Sequence, residues 1–183
     1  MSRVAPISLV LVSAALGLVA AGCGGSKSQP TTAEWVDGVC SSVVTWKNSL
    51  TSTAQSLQGG NLSEGSLKDA ADEMKSATET LQSDLKDLGK PESESGQQAK
   101  ESIDQLSSEL NDGADSIKSS ADDASDASGI VTATASITAT IGTMATEISS
   151  TVKSLQQLDP GGELQTAFNN SSSCQEIKNF TTS

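Results

Sequence analysis

Four stretches of the chain repeat apolar residues at the three- and four-residue spacing of an amphipathic helix. The first stripe consists of Val36, Val39, Val43, Trp46, Leu50 and Leu57. The second stripe consists of Leu67, Ala70, Met74, Ala77, Leu81, Leu85 and Leu88. Gly59-Gly60 separates the two stripes, and Gly89 and Pro91 follow the second. Because glycine and proline end helices, the pattern predicts two helices here.

Two further stripes predict a third and a fourth helix. The third stripe contains Ile103, Leu106, Leu110, Gly113, Ile117 and Ala121. The fourth contains Ile130, Ile137, Ile141, Met144, Ile148, Val152, Leu155 and Leu158. Thr31 and Glu34, like Ser95 and Gln98, have capping-box spacing and predict helix starts. Asp159-Pro160-Gly161-Gly162 ends the fourth helix, and a short helix near Glu163–Asn169 is expected before a polar tail.

Two alternatives stay open along this part of the chain. Residues 131–141 alternate Thr and Ala and could form a strand, but the stripe that continues to Leu155 favours a helix. The expected turn at Ser125–Gly129 contains no proline. One continuous helix from Ser95 to Leu158 would be about 96 Å long, at about 1.5 Å per residue.

The amino terminus has the pattern of an export signal. Arg3 precedes a stretch from Val4 to Ala21 that has no charged residue. The end of this stretch, Leu18-Val19-Ala20-Ala21-Gly22-Cys23, resembles the lipobox of bacterial lipoproteins, although Ala20 stands where the family more often has Leu. The resemblance implies cleavage between Gly22 and Cys23, lipid attachment at Cys23, and a location at the extracytoplasmic face of the cell membrane. An uncleaved anchor, or a secretory signal with a chance cysteine, is the alternative.

This interpretation divides the chain into three parts. Residues 1–22 are the expected signal peptide, residues 23–31 a lipidated tether, and residues 32–183 the helical domain with its tail. The polar stretch from Gly24 to Pro30 reaches about 25 Å when extended, at about 3.3–3.6 Å per residue. The tether would therefore hold the domain just beyond the lipid headgroups.

The charge of the chain is strongly acidic, which narrows the choice of partners. Its 23 acidic and 11 basic residues give a net charge of −12, and removal of Arg3 with the signal peptide makes it −13. Nucleic acid and anionic headgroups should repel such a protein. Only two Trp and two Phe are present, with no Tyr, so the core must be mainly aliphatic, which suits helices.

The cysteines predict one disulfide. Once Cys23 is assigned to lipid, Cys40 and Cys174 remain as an even pair in an exported protein. A reactive thiol is the alternative, but the chain has no His to activate it. In an up-down-up-down bundle the end of the fourth helix lies beside the start of the first, which brings the pair together. We therefore predict an all-α, four-helix bundle with a disulfide-tethered C-terminal tail.

No residue pattern predicts catalysis, a metal site or a cofactor. The absence of His removes the Glu-x-x-His pairs of diiron bundles and the commonest ligand of zinc and haem. Ser and Lys are abundant, but no spacing singles out a catalytic pair. Asp122-Asp123-Ala124-Ser125-Asp126 lacks the glycine and the terminal glutamate of a calcium loop. The sequence therefore predicts a protein that is not an enzyme.

Two surfaces are candidates for binding a protein. Residues 127–146 carry no charge but eight Ser or Thr hydroxyls, too many for a good membrane span, and could bind a partner or a second copy. The loops at the end far from the tether carry Glu64, Asp122, Asp123 and Asp126 and predict an acidic tip that favours basic partners.

A second, weaker resemblance concerns the first predicted helix. Glu34-Trp35-Val36-Asp37-Gly38-Val39-Cys40, with Trp46 beyond, resembles a pattern in uncharacterised exported actinobacterial proteins, and it implies no activity. The first functional hypothesis is thus a lipid-anchored, non-enzymatic interaction or envelope-structural module. The alternative is a small-molecule carrier that uses a cavity between the helices; an enzyme ranks third.

Overall fold

The computed structural model describes residues 29–59 and 62–178, and these residues form helices and no strand. The helices are α1 (Thr32–Gly59), α2 (Glu64–Leu88), α3 (Gly96–Asp122), α4 (Ala127–Gln157), α5 (Glu163–Asn170) and α6 (Ser172–Lys178). The all-α prediction is confirmed for this part of the chain. The predicted signal peptide, its cleavage site at Gly22 and the lipid attachment site at Cys23 lie outside the described residues.

Of the two predicted capping boxes, one forms and one does not. The backbone N–H of Thr31 donates to Glu34 Oε2 at 3.0 Å, and the Glu34 N–H donates to Thr31 Oγ1 at 3.3 Å. The prediction for Ser95 and Gln98 is wrong, because Ser95 makes no side-chain cap to α3. Its hydroxyl donates instead to the carbonyl oxygen of Leu158, at 3.2 Å, and so ties the start of α3 to the end of α4.

Residues 123–126 separate α3 from α4, slightly before the predicted turn at Ser125–Gly129. The Asp126 carboxylate accepts the backbone N–H of Gly129 at 2.7 Å and caps α4. One continuous helix from Ser95 to Leu158 is therefore ruled out. The strand alternative for residues 131–141 is also wrong, since they lie inside α4.

Consecutive helices from α1 to α4 pack against each other in extensive pairwise interfaces. Between α2 and α3, Lys75 pairs with Asp115 at 2.5 Å and Asp72 pairs with Lys118 at 2.8 Å. The order of these partners is opposite along the two helices, so α2 and α3 are antiparallel. Between α1 and α2, the indole Nε1 of Trp46 donates to the hydroxyl of Thr78 at 3.1 Å.

The apolar stripes predicted from the sequence form one core. Most of their members are buried, and the largest fully buried side chains are Trp35, Trp46, Phe168, Leu67, Met74, Leu81, Leu106, Leu110, Ile117, Met144, Ile148 and Leu155. Among the described residues the buried polar side chains are neutral hydroxyls, and no charged side chain is buried. Trp35, which is not part of the first stripe, is fully buried as well, and its Nε1 donates to the Gly89 carbonyl at 3.1 Å.

The predicted disulfide between Cys40 and Cys174 is present and joins α1 to α6. The expected polar tail around Cys174 is wrong, because this segment is helical. Its helix, α6, buries Cys174 and Ile177 against the core, and the preceding α5 buries Leu164 and Phe168. These apolar positions give the end of the chain a buried face.

Between α1 and α4 there is no interface comparable to those between consecutive helices. At the disulfide end, α5 contacts both α1 and α4, and α6 contacts α1. These two short helices therefore fill the gap between α1 and α4 at that end. At the opposite end the gap remains a groove. No helix in residues 29–59 and 62–178, α4 included, is long and apolar enough to span a membrane.

Candidate functional site

The described chain begins at the disulfide end of the molecule, where residues 30–32 contact the loop between α2 and α3. The backbone N–H of Glu92 donates to the Pro30 carbonyl at 3.2 Å, and the Thr32 hydroxyl donates to the Glu92 carbonyl at 3.3 Å. Residues 30–32, the loop between α2 and α3, and the Cys40–Cys174 bond therefore lie at one end of the molecule.

A cleft of about 740 Å³ lies at this end between the start of α1 and α5. Asp37 and Glu163 contribute its carboxylates. Asp37 Oδ1 accepts the Ser171 hydroxyl at 2.9 Å, and Glu163 Oε2 accepts the Thr32 hydroxyl at 3.0 Å. Both carboxylates thus hold the short helices in place. The two carboxylates make the cleft acidic, which suits a cationic group.

The opposite end contains the groove between α1 and α4, which has a volume of about 390 Å³. Its lining residues are aliphatic or threonine: Ala54, Leu57, Leu62, Thr134, Ile137, Thr138 and Ile141. The two threonine hydroxyls donate within α4, Thr134 to Ile130 O and Thr138 to Thr134 O, each at 2.8 Å. The groove therefore offers hydrocarbon rather than free donors, and it suits an apolar occupant.

Exposed large hydrophobic side chains occur beside this groove. Leu62 is 38% exposed and lines it, and Val131 of α4 is 70% exposed. Val131 precedes Thr138 by seven residues, a separation that places two residues on the same helix face. These two side chains are the exposed large hydrophobics of the described residues. The exposed large hydrophobic side chains are thus concentrated beside the groove.

Charge is distributed very unevenly between the helices. Three charged residues occur in α1 and two in α4, whereas α2 has ten and α3 has eight. Residues 50–59 of α1, Leu62, and residues 127–146 of α4 include none. We call the residues that line the groove, together with the neighbouring Val131, the uncharged side; it does not include the opposite face of α4. The sequence identified its α4 half, but only the fold shows that the end of α1 lies next to it.

The predicted acidic tip is more neutral than the sequence suggested. Lys68 pairs with Glu64 at 2.6 Å, and Lys118 lies 3.8 Å from Asp122. The hydrogen bond to Glu64, followed by the charge of Glu64, raises the pKa of Lys68. Asp126 is occupied as the cap of α4. Three of the four acids are thus engaged within the molecule, which weakens the expectation of a basic partner there.

One carboxyl group that sequence reasoning missed is Glu147 of α4. Its Oε2 atom is buried without a hydrogen-bond partner, in a small cleft that also includes Glu109 and Asp112 of α3. Burial raises the pKa of Glu147, and the neighbouring charge of Glu109 raises it further. Its position between Met144 and Ile148, both on the stripe, was the available signal.

The described part of the chain contains no group of three or more His, Cys, Asp or Glu residues placed to hold a metal ion. Comparisons of the chain with protein-family models, curated proteins and solved structures each found no match. Its function must therefore be inferred from its own residues and geometry.

Proposed function

We propose that this protein is a bacterial envelope lipoprotein, anchored through lipid on Cys23 at the extracytoplasmic face of the cell membrane. The lipobox Leu18-Val19-Ala20-Ala21-Gly22-Cys23 supports the anchor. In the mature protein the tether is residues 23–31 and ends beside the disulfide. That end of the domain then faces the membrane. The groove end lies about 40 Å farther out, because α1 has 28 residues at about 1.5 Å each.

We further propose that α1 to α4 run up, down, up and down, with α5 and α6 replacing part of the missing α1–α4 interface. Short loops between long helices favour antiparallel neighbours. The partners Asp72–Lys118 and Lys75–Asp115 support this direction for α2 and α3. The arrangement leaves the groove open at the end away from the membrane, where another molecule can reach it.

The domain acts, in this proposal, as a non-enzymatic interaction module that binds through its uncharged side. The observation that carries the proposal is an apolar groove on a surface without charged residues, in a chain of net charge −12. Charges keep protein surfaces apart, and exposed apolar patches mark interaction sites. The acidic tip is the weaker proposal for a protein partner, because Lys68 and Lys118 already offset its acids.

The anchor is tested with a Cys23→Ser variant expressed in the protein's own host. We expect the variant to leave the membrane fraction or to accumulate as unprocessed precursor. Two or three acyl chains hold a protein stably at the membrane, and the variant would carry no acyl chain. Ser26→Ala, a change in the tether that keeps Cys23, serves as the control. Unchanged membrane partitioning of Cys23→Ser would refute the lipid anchor.

The interaction role is tested by site-specific photo-crosslinking in intact cells. A photo-crosslinking amino acid replaces Val131 on the uncharged side, or Ser136, an exposed residue on the opposite face of α4. We expect covalent adducts from position 131 and few from position 136. Equal yields from both positions, or none from either, would contradict the proposed binding side.

A small-molecule carrier is the second candidate, and the cleft at the disulfide end favours it. Its volume of about 740 Å³ falls in the range of ligand pockets, about 300–1,000 Å³. Asp37 and Glu163 would select a cationic, polar ligand. Native mass spectrometry of the protein from its own host tests this candidate. We expect a retained small molecule that an Asp37→Asn variant loses, and an unliganded wild-type mass would exclude the carrier.

A further inference from the structure

One face of α4 carries both a protruding apolar side chain and part of an apolar groove. Val131 is 70% exposed, and Thr138 and Ile141 line the groove. Seven residues separate Val131 from Thr138, so the two lie on the same face about 10 Å apart, at about 1.5 Å per residue. A protrusion and a recess on one helix face are the elements of a self-complementary surface.

We propose that the uncharged side binds a second copy of this chain, with the α4 helices of the two copies packed antiparallel. This proposal rests on the proposed function, which makes the uncharged side the binding surface. If a two-fold axis passes near Ala135, residue 131 of one copy lies opposite residue 139 of the other. Val131 of each copy then enters the groove of its partner beside Thr138. Such an isologous pair closes and forms no chains.

The distribution of charge favours this surface over the surfaces of α2 and α3 for contact with a second copy. Two copies with a net charge of −12 each repel when α2 or α3 faces the neighbour, because these helices hold most of the acids. The uncharged side is where two identical copies can approach without bringing carboxylates together. Two of its hydroxyls, those of Thr134 and Thr138, already donate within α4 and need no acceptor from a second copy.

The outer surface of α4 also has room for a neighbouring helix. A Cβ atom added to Gly142 would meet no heavy atom within 4 Å, so the backbone is open there. Small residues such as Ala135 and Gly142 let two helix backbones come close. A single acyl chain in the groove would leave Val131 uncovered, because Val131 is not among the residues that line it. A second helix covers both the groove and Val131.

The test is photo-crosslinking of the full-length protein in its own host, with the crosslinking amino acid at position 131. We expect an adduct of twice the mass of the mature chain, and digestion that maps the second attachment to residues 130–141. The control with the crosslinker at Ser136 should give no such adduct. An adduct of another mass, protein or lipid, would overturn the second copy but keep the uncharged side as a binding surface. No adduct at all would overturn both proposals.

A charge variant gives an independent measurement on the detergent-solubilised full chain. Val131→Asp would bury a carboxylate in each half of the pair, so sedimentation should show dimerisation weakened by on the order of tenfold or more. Ser136→Asp should dimerise like the wild type. Since Val131 is largely exposed, the variant should keep wild-type circular dichroism. A monomeric wild type, or a Val131→Asp variant that still dimerises fully, would overturn the proposal.

Discussion

The two ends of the gap between α1 and α4 differ sharply. At the disulfide end α5 and α6 fill the gap, and Leu164, Phe168 and Cys174 are completely buried there. At the other end α1 and α4 leave a groove between them, in which Leu62 remains 38% exposed. The chain therefore covers its own apolar surface at the disulfide end and leaves it uncovered at the groove end.

Local sequence explains why the ends differ. Leu164 and Phe168 are four residues apart and share one face of α5, and the disulfide fixes α6 on α1. Among the described residues the groove end has no such segment, and charged residues are absent from residues 50–59 of α1 and residues 127–146 of α4. Contiguous exposed apolar surface marks interaction sites, and the missing charges remove the repulsion that would keep another surface away.

The largest predicted effect concerns the filled end. The double variant Cys40→Ala, Cys174→Ala opens a loop whose ends are 134 residues apart in sequence. We expect a loss of about 4–5 kcal/mol in the free energy of unfolding in the chain-entropy model, with about 2–4 kcal/mol typical of real bridges. Urea denaturation measures the loss.

Hydrogen exchange locates that effect. The amides of α5 and α6 should lose protection before those of α2 and α3, because the bond holds the short helices on α1. If the exchange pattern and the urea midpoint both stay at wild-type values, the disulfide is not what keeps the filled end closed.

The next effect compares one leucine at each end. Leu164→Ala empties a fully buried position in α5 and should cost about 2–5 kcal/mol of stability. Leu62→Ala, at the rim of the groove, should cost less than about 1 kcal/mol, since part of this side chain is already in water. Urea denaturation of the two matched variants measures the difference. Equal losses would mean that the groove end is packed as tightly as the disulfide end.

A smaller effect is expected at Glu147, in the packed α3–α4 interface. Burial and the nearby Glu109 raise the pKa of Glu147 in the folded state, so folding favours its protonated form. That contribution is present in full below the pKa of the unfolded chain and is lost as pH rises through the folded-state value. At pH 7, Glu147→Gln should therefore be stabilising, by on the order of 0.5 kcal/mol.

The pH dependence distinguishes this cause from a change in packing. The gain from Glu147→Gln should vanish at a pH below about 4, the ordinary range of a glutamate, because the wild-type carboxyl is then protonated as well. Thr143→Ala, at an exposed position of the same cleft, changes no ionisable group and provides the control. A gain that is the same at both pH values would contradict the electrostatic explanation.

The sequence predicted the long helices and the disulfide because local periodicity and cysteine parity determine them. It could not place Ser95, since the hydroxyl that looked like a cap bonds to Leu158, 63 residues away. The helix around Cys174 was also missed, because its few apolar residues become a pattern only when they pack on α1. The groove required the tertiary structure, as Leu57 and Thr138 are far apart in sequence and adjacent in the fold.

The central claim is that the uncharged side is the surface this protein uses to bind. The most direct test places a glutamate on either face of α4, as Thr138→Glu in the groove or Ser136→Glu on the opposite face. Both positions are exposed, so the free energy of unfolding of each variant should lie within about 0.5 kcal/mol of the wild-type value. Native electrophoresis of membranes solubilised in mild detergent should show the complex lost in Thr138→Glu and retained in Ser136→Glu. If both variants retain the complex, or both lose it, binding does not occur through the uncharged side.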